Sequence, residues 1–126
     1  MGSGVDFSAT KACRCLAARR YARTVTRTYE RRLRSHGLRA TQFSVLAALA
    51  LAGPTSISEL AALLGLDRTT LSRVAAVLER NGWVGDGRTA DARTRPLRLT
   101  GAGRRKAETA FPAWQEAQES VERSVR

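Results

Sequence analysis

Residues 56–100 read SISELAALLGLDRTTLSRVAAVLERNGWVGDGRTADARTRPLRLT, and the order of signals in that stretch decides the fold. Ser56-Ile57-Ser58-Glu59 has the spacing of a capping box, so a helix starts there. Ile57, Leu60 and Leu64 form its inner face. Gly65 supplies a turn, and Asp67 caps a second helix whose inner face is Leu71, Val74, Ala75 and Leu78. Asn81-Gly82 ends that helix. Trp83-Val84 begins a short strand, Pro96 to Leu99 alternates as its partner, and Gly85 to Ala90 is a turn-rich tip between them. Two short helices about a tight turn, with a basic hairpin attached, predict a winged helix-turn-helix. The dominant use of that unit is to read DNA in two grooves at once.

The outer surface of the second helix agrees. Burying its leucines and valines leaves Arg68, Thr69, Ser72, Arg73 and Ala76 facing outward, with Thr70 beside the cap. Short side chains allow close approach to base edges, and arginine can bond guanine O6 and N7 as a pair. For a lone helix, solvated arginines near a cap would be the plainer explanation; the turn before it and the hairpin after it favour DNA. On the hairpin, Arg88, Arg93 and Arg95 suit a narrow minor groove, where negative potential is concentrated. Asp91 precedes Arg93 by two residues and can hold its guanidinium in a fixed pose.

Outward from this stretch, the chain has 126 residues, which predicts a single domain, 1–126. It holds 22 Lys and Arg against 11 Asp and Glu, a net charge of +11, which calls for a polyanionic partner. The charge is uneven. Residues 8–39 carry ten cations, from Lys11 to Arg39, against Glu30 alone, and a second basic block spans 83–106. The tail is mildly acidic, with Glu108, Glu116, Glu119 and Glu122.

Before the quoted stretch, Cys15, Ala18, Ala22, Val25, Tyr29 and Leu33 recur at helical spacing. They predict one amphipathic helix over 8–35, about 40 Å long, ending at His36-Gly37. Thr41 is placed as the cap of a nearly all-apolar helix stopped by Gly53-Pro54. Thr41 also joins the DNA-contacting set. After Thr100-Gly101 a last helix carries Phe111, Trp114, Ala117, Val121 and Val125 on one side, and Pro112 is expected to kink or restart it. The fold class is therefore mainly α with a small β-hairpin wing. Residues 40–100 form the DNA-binding part, and the long helices of 8–36 and 101–126 form a dimerisation part.

Together Asp67-Arg68-Thr69-Thr70-Leu71-Ser72-Arg73, Leu78 to Val84, Asp91-Ala92-Arg93 and Leu97 to Gly103 resemble the MarR family of bacterial transcriptional regulators, and Gln42 to Leu46 is similar to that family's second helix. The resemblance covers about Ser8 to the end. It implies a homodimer on a pseudo-palindromic operator, often a repressor released by a small-molecule effector or by thiol oxidation. It gives Arg68, Thr69, Ser72 and Arg73 the roles of major-groove and phosphate contacts, Arg93 that of the wing arginine and Asp91 that of its anchor. Two departures stand out. Gly85 sits where the family often has a charged residue, and family members commonly continue past the position of Arg126 into another helix of the dimer region.

Cys13 and Cys15 are the candidates for a redox sensor. Placed on a regular helix they point about 200° apart, too far round to bond each other. Cys15 falls on the apolar stripe, as a buried thiol would. Cys13 lies off it beside Lys11 and Arg14, the electropositive setting that reactive thiols need. No cofactor and no metal site is expected, and no enzyme motif is present: no P-loop, no zinc-protease pair and no nucleophile elbow. The longest apolar run, Val45 to Ala52, is too short to span a bilayer. Met1-Gly2-Ser3-Gly4 reads as a flexible start, not a signal peptide, so a cytoplasmic protein with no membrane partner is expected. The alternative is a winged-helix interaction or RNA-binding module that uses the basic first helix.

Overall fold

Local capping chemistry places the central helices where the spacing predicts them. The structure, a computed structural model, describes residues 4–86 and 96–124. Ser56 accepts from the Glu59 amide at 3.2 Å and starts α3, Ile57–Leu64. Gly65 ends α3 in the left-handed conformation at φ 66, which a side chain would disfavour. Asp67 then accepts from the Thr70 amide at 2.7 Å and starts α4, Arg68–Arg80. Leu60, Leu71 and Leu78 are fully buried between the two helices and α2, Ala40–Ala52.

The wing proves to be part of a three-stranded antiparallel sheet. The expected strands are β2, Val84–Asp86, and β3, Pro96–Leu99. A further two-residue strand, β1, Thr55–Ser56, pairs with the other edge of β3 through Thr55–Leu97 and Ser56–Pro96. Gly85 is held in β2 opposite Arg98.

The start of α2 differs from the expectation. Thr41 is not the cap: it lies half-buried in the first turn, and Arg39 occupies the cap position. Two side chains decide this. Gln42 Oε1 accepts from the Arg39 amide at 2.8 Å, and Glu30 accepts from the Ala40 amide at 3.1 Å. Glu30 also accepts from Arg39 Nε at 3.1 Å. The free amides at this helix start are thus served by Gln42 and by a carboxylate from the first helix, α1 (Arg14–Leu33), and no threonine hydroxyl is needed.

The first helix also differs. A 3₁₀ turn, Phe7–Ala12, precedes α1, Arg14–Leu33, and a second 3₁₀ turn, Arg34–His36, follows it. Cys13 between the first two is extended, with ψ 117, so the helix is 20 residues and about 30 Å long. Asp6 shapes the early turn by accepting from the Ser8 amide at 3.0 Å. Of the expected stripe, Leu33 is buried and Val25 and Tyr29 half-buried, whereas Cys15, Ala18 and Ala22 are exposed.

The last helix, α5, Gly101–Ser124, continues through Pro112 with no restart. It runs antiparallel to α1. Gly37, just past α1, lies near Lys106, Arg32 pairs with Glu116 at 2.7 Å, and the Tyr29 hydroxyl bonds Gln118. The amino half of α1 lies beyond the level of Ser124, and among the described residues most of its stripe is exposed. Among the described residues no helix is long and apolar enough to cross a membrane.

Where α5 begins, it presses on the base of the wing. A Cβ added at Gly103 would lie 1.9 Å from the Trp83 carbonyl oxygen and 2.9 Å from Leu99 Cδ1. Gly103→Ala must push α5 off the sheet, and backbone cannot yield as a flexible side chain would. The substitution is expected to cost about 1–3 kcal/mol or more. Chemical denaturation checks this; a variant as stable as the parent would disprove so close a packing.

Candidate nucleic-acid interface

The candidate surface is the outer face of α4, and its first turn is held firmly. Asp67 Oδ1 accepts from the Thr70 amide, and Thr70 Oγ1 donates to Asp67 Oδ2 at 3.1 Å. These two bonds, first the amide and then the hydroxyl, hold the Asp67 carboxyl below the usual carboxylate range, with Arg73 adding to the effect. Thr70 is thereby engaged with the cap and half-buried. Arg68, Thr69, Ser72 and Arg73 are all exposed, while Leu71 and Ala75 between them are buried. One face of α4 is fixed in the core and the other presents two guanidinium groups and two hydroxyls to solvent. That combination is what base edges and phosphates in a major groove require.

The rest of the site divides. Arg88, Asp91, Arg93 and Arg95 lie outside the described residues. Thr41 sits in the first turn of α2, on a different element from the others. Cys13 and Cys15 are both exposed, so the expectation of a buried Cys15 is corrected: among the described residues of this single chain nothing covers it. Arg19 Nη2 donates to Cys15 Sγ at 3.6 Å. Cys13 is extended, outside α1, so the angular separation expected for a continuous helix does not apply to the pair.

Two features of the site escaped the sequence reading. Glu30 organises the corner of α1 and α2, as described above, and its signal was its isolation among ten cations. Thr100 ties the wing to α5: its hydroxyl donates to the Gly82 carbonyl at 2.6 Å and accepts from the Gly103 amide at 3.0 Å. The Lys106 ammonium lies 5.1 Å from the centre of the Trp83 ring.

Residues 36–93 match the model of the MarR family. The Mycobacterium tuberculosis transcriptional regulator MosR is 37% identical, over 94% of this chain and 84% of MosR, with a TM-score of 0.81. The same regulator solved in complex with DNA is 43% identical over 86% of this chain and 80% of MosR, with a TM-score of 0.77. Reduced AbfR bound to DNA, a protein of Staphylococcus epidermidis, is 29% identical over 81% of this chain and 72% of AbfR, with a TM-score of 0.71. No curated protein sequence matches the chain. The fold and its exposed face define a winged helix-turn-helix DNA-binding transcriptional regulator. The chain belongs to the MarR family.

Two substitutions probe the face. Arg73→Ala leaves the core untouched and is expected to weaken binding to a selected duplex by about 1–3 kcal/mol. A gel-shift titration at fixed salt measures it, and unchanged affinity would reassign the face. Asp67→Ala removes the cap and is expected to fray the first turn of α4, lowering DNA affinity and helix content together. The cap also sets a pH dependence. Because the folded carboxyl lies below its ordinary value of 3.8, its contribution is complete above that value and is lost as the pH falls through the folded one. In acid-unfolding profiles the parent should therefore lose its advantage over Asp67→Ala only below about pH 4; a difference that faded nearer neutrality would point to another group.

Proposed function

We propose that the protein represses transcription in the cytoplasm by binding a pseudo-palindromic operator as a homodimer, without enzymatic activity. The observation that carries this reading is the outer face of α4, polar and basic on a helix whose other face is locked into the core. Arg68, Thr69, Ser72 and Arg73 meet base edges and phosphates in the major groove. Arg88, Arg93 and Arg95 serve the adjacent minor groove, with Asp91 holding Arg93. Thr41 and Thr70, in the first turns of their helices, contribute phosphate contacts. Residues 40–100 act as the DNA-binding part and 8–36 with 101–126 as the dimerisation part of one domain. The likeness to MosR on DNA supports this assignment.

Release is proposed to come from the thiols. Cys13 and Cys15 are both open to solvent, so an oxidant can reach them. A thiolate that attacks the O–O bond of a peroxide becomes a sulfenic acid and releases hydroxide, replacing a sulfur anion by a neutral, bulkier S–OH that both donates and accepts hydrogen bonds. Peroxide is expected to lower DNA affinity of the parent and to leave a Cys13→Ser/Cys15→Ser variant unaffected. A variant that still responds would move the sensor elsewhere, and the same titration with small molecules in place of peroxide tests an effector as the signal.

Selection of bound duplexes from a random pool tests the main reading. An enriched inverted repeat with half-sites about one helical turn apart is expected. Enrichment of no motif, with stronger retention of RNA than of duplex DNA in competition, would favour the basic first helix as an RNA-binding element instead.

A further inference from the structure

Two apolar features lie far apart in the chain, each open to solvent. The first is the 3₁₀ turn before α1. Val5 is 74% and Phe7 72% exposed. The turn is nonetheless built: Asp6 caps it, and Thr10 Oγ1 donates to the Phe7 carbonyl at 2.7 Å. A phenyl ring is thus held out by a segment with its own hydrogen bonds. The second is a groove of about 920 Å³ between α2, α3 and α5. Phe43 and Trp114 form its floor, and Leu51, Leu63 and Phe111 stand on its rim, 90%, 65% and 45% exposed. A contiguous apolar surface with three large exposed residues is what an interaction site leaves open.

The chain cannot bring the two together by itself. Tyr29 packs on Trp114 with ring centres 6.5 Å apart, which puts the groove level with the carboxyl half of α1. From Tyr29 back to Cys13 the helix rises about 24 Å. The antiparallel register carries that end away from Trp114 and past the level of Ser124, whereas the groove extends the other way, toward Ala107. Charge points to the same occupant. The amino-terminal segment bears Lys11, Arg14, Arg19, Arg20 and Arg23, all exposed. Glu108 lines the groove, and Glu119 is exposed farther along α5.

We propose that Val5 and Phe7 of one copy seat in the α2–α3–α5 groove of a second copy, and reciprocally. Two-fold symmetry makes the exchange self-complementary: each copy gives a turn and receives one. The inference rests on the homodimer reading and names the contact that closes it.

Crosslinking tests it. Sedimentation of the parent at micromolar concentration establishes the dimer first; a monomer overturns the homodimer and this contact together. In a Cys13→Ser/Cys15→Ser background, a Phe7→Cys protein is mixed with a Leu51→Cys protein and treated with a short bis-maleimide. A species of twice the monomer mass is expected from the mixture and not from either protein alone. Phe7→Ser, which removes a ring exposed in the single chain, is expected to weaken dimerisation about tenfold or more with unchanged circular dichroism. A dimeric parent whose mixture gives no crosslink, or a Phe7→Ser variant that dimerises like the parent, overturns the exchange and leaves the homodimer standing. A groove that binds a small apolar ligand while the crosslink fails would give the surface to that ligand and overturn it equally.

Discussion

The carbonyl of Trp83 occupies the space that a side chain at position 103 would need, and the coupling between the DNA-reading half and the long helices depends on that contact. It stands where the loop after α4 enters β2, and α5 can approach only because Gly103 has no Cβ. The same carbonyl accepts from the Thr100 amide at 3.1 Å, and the Thr100 hydroxyl reaches back to Gly82. Lys106 closes over the Trp83 ring one turn later. The end of α4, both strands of the wing and the first turn of α5 are therefore one packed unit. A tilt of α5 cannot be absorbed locally; it has to move the wing and the end of the recognition helix with it.

Midway along its length α5 is held by aromatic packing. Trp114 stacks with Phe43 at 6.1 Å and with Phe111 at 5.5 Å, and meets Tyr29 of α1 at 6.5 Å. Desolvation, with Glu122 nearby, raises the Tyr29 phenol above its ordinary value, so it stays a neutral donor to Gln118. Glu30 does the matching work between α1 and α2. One carboxylate accepts from the first amide of α2 and pairs with Arg39, so the sole acid of a strongly basic segment fixes the angle at which α2 leaves.

What the sequence made legible follows the range of the forces involved. α3 and α4 could be read because their starts are set by side chains three residues away, Ser56 to Glu59 and Asp67 to Thr70. Their exposed face followed from periodicity alone. The cap of α2 could not be read that way. Thr41 has the right chemistry for a cap, but the amides there are served by Glu30, ten residues back and on another helix. β1 was invisible for a similar reason: two residues carry no periodicity, and Thr55 is a strand residue only because Leu97 pairs with it. The stripe on α1 could be read as apolar, but how far along it the chain's own helices pack could not: spacing reports which residues share a face, not which of them a neighbouring element meets.

The offset between α1 and α5 bears on how a regulator of this shape can be switched. Among the described residues, α1 is held mainly along its carboxyl half, through Tyr29, Arg32 and Leu33. Its amino half carries exposed cations, and two exposed thiols stand at its far end. In a dimer of two-fold symmetry the separation of the recognition helices must match one turn of DNA, about 34 Å. If the long helices form the proposed dimerisation part, they set that separation, because α5 is packed against the base of the wing and α1 is joined to α5. Cys13 stands extended between the 3₁₀ turn and α1. Under the proposed function, a chemical change there would act where the turn is oriented and, by altering how the turn seats against a second copy, would shift the spacing of both α4 helices together; the proposed sensing and reading sites would then be coupled through packing along α1 and α5.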